Sequence, residues 1–161
     1  MWIAGLCAFS PPISDTDISI QDAGLALNKE FSAPVTKSYL LTLRFVIPST
    51  EIRLEDELVG DGHTSSFCTS NVEFDAIPQR ERRGLGFPIP FKVIVRTYPA
   101  GTPVVEQTFH SLCNVGYDFR DGKYRNVGRF DLKEGDYRIE VYNLQPQPAF
   151  RDIKVQLSVG P

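Results

Sequence analysis

The chain has 161 residues, of which 42% are hydrophobic and 23% charged, with a formal net charge of -3. This is a globular composition with room for one sizeable core. The acidic balance excludes the basic footprint of a nucleic-acid binder, and twelve glycines and twelve prolines scattered without period exclude collagen-like or repeat architecture.

In chain order, Met1–Phe9 is apolar and is followed by Ser10, Pro11 and Pro12. A membrane-spanning helix needs roughly 20 apolar residues, so the segment reads as the remnant of an export signal without its basic leader. Leu6 stands before Cys7, where a lipoprotein signal places small residues; an apolar first strand is the alternative. Residues 1–28 are therefore taken as this remnant plus an extended lead-in, and 29–161 as one domain. A first strand is expected at Lys29–Ala33. Tyr39, Leu41, Leu43, Phe45 and Ile47 then alternate with Leu40, Thr42, Arg44 and Val46 until Pro48 ends the run, which predicts a long strand with the first set inward. Leu54 and Leu58 fit one face of a short helix, so one or two helical turns are expected between Glu51 and Gly60.

Asp61–Gly86 is polar and reads as exposed loop with one short strand at Asn71–Phe74. Phe91, Val93 and Val95 alternate with Lys92, Ile94 and Arg96 in a second firm strand, closed by Pro99–Gly101 and pairing with Val104–Phe109. A loop is expected over Asn114–Asn126. Gly128–Asn143 alternates on both sides of Lys133-Glu134-Gly135-Asp136 and predicts a β-hairpin, with Phe130, Leu132, Tyr137, Ile139 and Val141 inward. Gln145–Pro148 is a proline-stiffened crossover, after which Ile153, Val155, Leu157 and Val159 face the core from a last strand. About seven to eight short strands with one short helix predict an all-β, antiparallel β-sandwich, immunoglobulin-like or jelly-roll; a closed barrel is the structural alternative.

Cys68 and Cys113 each stand beside strand residues. A bridge between them would close a loop of about 45 residues and suit an oxidising compartment. Two buried free thiols in a cytosolic core is the other reading, and the sequence leaves both open.

No catalytic constellation stands out. His63 with Asp61 lacks a third metal ligand. His110 and Cys113 have opposite parity on a strand, which opposes a nucleophile-base pair. Glu55, Asp56 and Glu57 lack the spacing of a calcium loop and read as a solvated helix face. Gly84-Leu85-Gly86 lacks the third glycine of a dinucleotide fingerprint. Neither metal nor cofactor is implied. Two clusters are candidate binding surfaces instead: Arg80, Arg82 and Arg83, whose guanidinium forks suit acidic patches, and Tyr117, Phe119 and Tyr124 with Arg120 and Arg125, a composition common to interface hot spots and sugar-stacking platforms. The competing readings are a solvated charged loop for the first and aromatics folded into the core for the second.

The Ser38–Phe45 strand, Leu58-Val59-Gly60-Asp61, Pro88–Val93 continuing to Val95-Arg96, and the Gly135–Leu144 stretch resemble a family of small bacterial exported domains of unknown function. The resemblance covers roughly residues 30–160. It implies a β-sandwich, often a lipoprotein, placed in the periplasm or secreted, with Cys68 and Cys113 at a shared cysteine pair; it carries no catalytic residue. The expected function is a non-catalytic, protein-binding domain of the cell envelope, immunity-like or accessory, with an unknown protein partner and no nucleic acid. A carbohydrate- or small-ligand-binding module is the alternative, and a hydrolase carries the least weight.

Overall fold

Residues 10–61, 65–118 and 120–161 are described by the computed structural model. Met1–Phe9, with Cys7 and the expected export signal, lies outside them.

Among the described residues, nine strands form two antiparallel sheets. In chain order they are β1 (Ile13–Ile18), β2 (Gly24–Ala33), β3 (Lys37–Val46), β4 (Ile89–Thr97), β5 (Pro103–Ser111), β6 (Gly116–Tyr117), β7 (Gly122–Leu132), β8 (Gly135–Asn143) and β9 (Lys154–Gly160). One sheet runs β1-β9-β3-β7-β6 and the other β2-β8-β4-β5. The two pack face to face as a sandwich, not a barrel, because alternate residues of each strand need an apolar cover. Tyr39, Leu41, Leu43, Phe45, Val155, Leu157 and Val159 face Phe91, Val93, Val95, Ile139 and Val141 in one continuous core. Phe45 packs on Phe150 with ring centroids 5.5 Å apart.

The alternation at Gly128–Asn143 buries the expected residues, but its two strands do not pair with each other. β7 pairs with β3 and β6, whereas β8 pairs with β2 and β4, so Lys133–Glu134 carries the chain from one sheet to the other. Alternation fixes which face of a strand is buried, not which strand lies beside it. The β2-to-β3 crossover runs alongside the Lys133–Glu134 connection and is latched to it where Glu134 N donates to Thr36 Oγ1 at 3.0 Å; within that crossover the Val35 carbonyl accepts from Tyr39 Oη of β3 at 2.7 Å.

The expected lead-in at 10–28 holds β1 and the start of β2. β1 is an edge strand reading Ile-Ser-Asp-Thr-Asp-Ile, with a register shift between Ile13 and Thr16, so little apolar alternation marks it. A helix does form at Thr50–Glu55, capped by Ser49 Oγ accepting from Ile52 N.

Asp61–Gly86 is not simply exposed loop. It contains 3-10 turns at Ser66–Cys68, Phe74–Ala76 and Gln79–Glu81, with no strand at Asn71–Phe74. Ile77 and Leu85 form a second small core with Leu112 and Cys113. Asn71 takes the place of a pairing strand against β5: its amide donates to Thr108 O at 3.0 Å and its carbonyl accepts from His110 N at 2.7 Å. A side-chain amide presents the same donor and acceptor as a peptide unit, so it caps the edge that β5 would otherwise expose.

Candidate functional site

The expected loop at Asn114–Asn126 is largely sheet. β6 and β7 form a short hairpin whose turn carries Asp118, and Tyr124 and Arg125 belong to β7 rather than to a loop. The register of β7 shifts between Leu41 and Thr42 of β3: Gly128 pairs with Leu41 and Asn126 with Thr42, leaving Val127 as the bulged residue. Unbroken alternation back from Leu132 and Phe130 would aim Arg125 at solvent. The bulge reverses the parity and sends Lys123, Arg125 and Val127 into the protein.

Arg125 is fully buried and is the correction of most consequence to the expected surface. Its Nε and Nη2 donate to Val59 O at 3.1 and 2.9 Å, Nη2 also to Leu58 O at 2.8 Å, and Nη1 to Phe87 O and Ser111 O at 2.7 and 3.0 Å. The fork ties residues 58–59, 87 and 111 to β7, while its plane lies over the Phe45 ring at 5.5 Å. Burial lowers its pKa to about 9, against the pull of Asp56, so the group is charged at neutral pH. Gly86 makes room for it. With φ of +76°, a Cβ there would collide with Arg125 Nη2 and the Val59 carbonyl.

Lys123 lies beside this clamp. Its ammonium donates to the carbonyls of Asp56 and Gly60 at 3.0 and 2.9 Å and pairs with Asp56 Oδ2 at 3.1 Å; both side chains are nearly inaccessible. Asp56 also accepts from the Leu58 and Val59 amides. The acidic trio is thus not a solvated face throughout, because Asp56 is the counter-ion of a buried cation; Glu57 remains exposed.

At the turn, Asp118 Oδ1 accepts from the Arg120 and Gly122 amides, each at 2.9 Å, and Oδ2 accepts from Arg44 at 2.7 Å and from Tyr124 Oη at 3.1 Å. Burial alone would raise the Asp118 pKa, but the Gly122 amide, Arg44 and the Arg120 amide outweigh it and hold it at about 2. Tyr124 is therefore a half-buried anchor. Tyr117 and Arg120 are exposed, Tyr117 by 50%, and the Tyr117 ring stands 5.8 Å from Lys123 Nζ. Phe119 lies outside the described residues.

The arginine cluster also divides. Arg82 turns inward, donating to Ile77 O at 2.8 Å and Asp75 O at 3.1 Å and covering the Phe74 ring. Arg80 and Arg83 stay exposed, Arg80 beside Glu81 at 3.6 Å. Arg83 precedes Gly84, which packs on Gly60, the residue that receives Lys123. The exposed remnants of both clusters thus border one end of the sandwich.

Cys68 and Cys113 are bridged, with Cα atoms 5.6 Å apart and a sequence separation of 45. The bridge leaves His110 no Cys113 thiol to activate. His63 lies outside the described residues, and among those described no group of three or more His, Cys, Asp or Glu is placed to hold a metal ion. No described helix is long and apolar enough to cross a membrane. A bridge of this kind points to a non-cytoplasmic compartment.

The fold and site define a disulfide-linked antiparallel β-sandwich whose end is clamped by buried cations. Residues 12–161 match the family described as "Domain of unknown function (DUF5625)", and the chain belongs to that family. A crystal structure of a protein from Sulfurospirillum deleyianum shares the fold, with a TM-score of 0.70 and 16% identity over 94% of this chain and 98% of that one. A β-glucosidase from Streptomyces venezuelae, DesR, solved in complex with D-glucose, aligns at a TM-score of 0.31 and 9% identity, over 91% of this chain and 11% of that one. No curated protein matches the chain.

Proposed function

We propose that this chain is a non-catalytic, protein-binding domain of the bacterial cell envelope, periplasmic or secreted, with an immunity-like or accessory role. The observation that carries the reading is the β6–β7 turn. It presents Tyr117 and Arg120 to solvent from a backbone held by Asp118 through Arg44, Tyr124 and the Arg120 and Gly122 amides. Exposed aromatic and arginine side chains on a preorganised turn bind with little ordering cost, which is how interface hot spots are built. Arg80 and Arg83 extend the basic character at that end and favour an acidic partner surface. The disulfide supports an extracytoplasmic setting. A sugar-stacking role is weaker, because Tyr124 is tied to Asp118 and, among the described residues of this cluster, Tyr117 is the one exposed ring.

Crosslinking and affinity purification from the native envelope test the reading. A specific partner should be recovered with the wild-type protein and lost with a Tyr117→Ala, Arg120→Ala double variant of unchanged melting temperature. Recovery of no partner, or equal recovery by the double variant, contradicts it.

A further inference from the structure

The bulge that buries Arg125 also shapes a cleft with no role in the reading above. At this side of the sandwich the edge strand β5 and the part of β7 beyond its pairing with β6 face each other across a gap of about 350 Å³, lined by neither Tyr117 nor the exposed arginines at 80 and 83. Its volume sits at the small end of the roughly 300–1,000 Å³ usual for ligand pockets and suits a single sugar or amino-acid unit. The floor is closely packed. Gly128 admits the Phe109 ring where any Cβ would collide with it, and Val127, swung inward by the bulge, closes the bottom. One wall is covalently fixed, because Cys68 and Asn71 line it and both are tied to β5 or its continuation.

The polar groups over that floor are donors and neutral acceptors, Thr69 and His110 among them, with no carboxylate. Gln107 and Asn126 bring side-chain amides, and both are exposed. Arg129 is exposed and meets no carboxylate among the described residues, and no Asp or Glu lines the cleft. Four other basic groups on the sheet faces are paired with carboxylates: Lys92 with Glu106, Arg96 with Glu140, Arg138 with Glu30 and Lys154 with Asp17. Arg129 is not so paired, and it is the one lysine or arginine among the residues lining the cleft. A bulge beside a preformed cleft is a recurrent device for re-aiming side chains at a ligand.

We propose that this cleft binds a small ligand bearing one carboxylate, with Arg129 pairing the carboxylate and the Asn126 and Gln107 amides meeting the hydroxyl or amide groups of its body. A single guanidinium fork matches a planar carboxylate in bidentate fashion, and neutral amides suit the uncharged remainder. Two sources share this chemistry, an acidic sugar and the C-terminal end of a peptide.

The test is titration of the oxidised protein, followed by amide NMR, with sodium D-glucuronate and with N-acetyl-L-alanine, against glucose, N-acetyl-L-alanine amide and inorganic phosphate as controls. Shifts confined to residues 107–110 and 126–129 with either carboxylate are expected, and which of the two binds more tightly identifies the source. Arg129→Gln should weaken binding roughly tenfold or more, the effect of losing a charge-assisted pair, with the spectrum otherwise unchanged. Asn126→Ala should weaken it less. Absence of saturable shifts at these residues, equal binding of a neutral analogue or of phosphate, or undiminished affinity in Arg129→Gln overturns the proposal. The cleft and the β6–β7 turn are tested by different variants, so failure of one leaves the other standing.

Discussion

The two-sheet core and the segment that crosses its end are held by different physics. The core is a contiguous set of apolar side chains, each contributing by burial, so no single residue defines it. Among the described residues of the segment from residue 50 to residue 88, Val59 reaches the main core, while Ile77 and Leu85 pack with Leu112 and Cys113 in a small core of their own, flanked by the partly buried Phe67, Val72 and Phe74. The segment depends on a disulfide, the Asn71 clamp, and the donors of Arg125 and Lys123. Burial-driven structure tolerates small changes spread over many sites. Structure held by a few directional bonds fails at named ones, because a removed donor strands buried carbonyls that water does not reach.

Removing Arg125 should therefore cost most. Arg125→Met removes the guanidinium donors from the carbonyls of Leu58, Val59, Phe87 and Ser111, of which Leu58 keeps the Phe87 amide. A loss of about 5 kcal/mol is expected, measured by denaturant unfolding, the upper range for breaking a buried charged network. Arg125→Lys should not rescue it, since an ammonium cannot span the same fork. A loss under about 1 kcal/mol would mean that the clamp is incidental.

Reducing the Cys68–Cys113 bridge, or replacing both cysteines with alanine, comes next. Closing a loop of this length should be worth about 4 kcal/mol in the chain-entropy account.

Asp118 sharpens the comparison at the turn. Its folded pKa lies below its unfolded value, so its contribution is present above about pH 4 and is lost as pH falls from there toward about 2. Asp118→Asn should remove at most about 2 kcal/mol at neutral pH and flatten the acid limb of stability in that window. An unchanged acid limb would contradict the network assigned to it. Smallest of all, Arg80→Ala with Arg83→Ala should alter stability by less than about 0.5 kcal/mol, because both side chains are exposed.

The same division governs what the sequence reveals. Alternation at Tyr39–Ile47, Phe91–Val95, Tyr137–Val141 and Val155–Val159 is enough to place the core strands and their inward faces, since burial repeats every second residue. The partner of each strand is not legible there, and β7 and β8, adjacent in sequence, join different sheets. Arg125 and Tyr124 are drawn to the wrong sides by a one-residue bulge at Val127 that leaves no composition signal. Lys123 and Asp56 are missed for a related reason, because a buried pair joins positions distant in sequence and each alone reads as a surface charge. Arg82 differs from Arg80 and Arg83 only through the turn that aims it at Ile77 O.

The most direct test is native-state amide hydrogen exchange on the oxidised and reduced protein. The amides of Ala76, Ile77 and Leu85, bonded within the segment, should lose protection on reduction by a larger factor than those of Leu41, Leu43 and Leu157 in the core strands. Equal loss in both groups would show that core and segment unfold as one unit and would contradict the separation of forces described above.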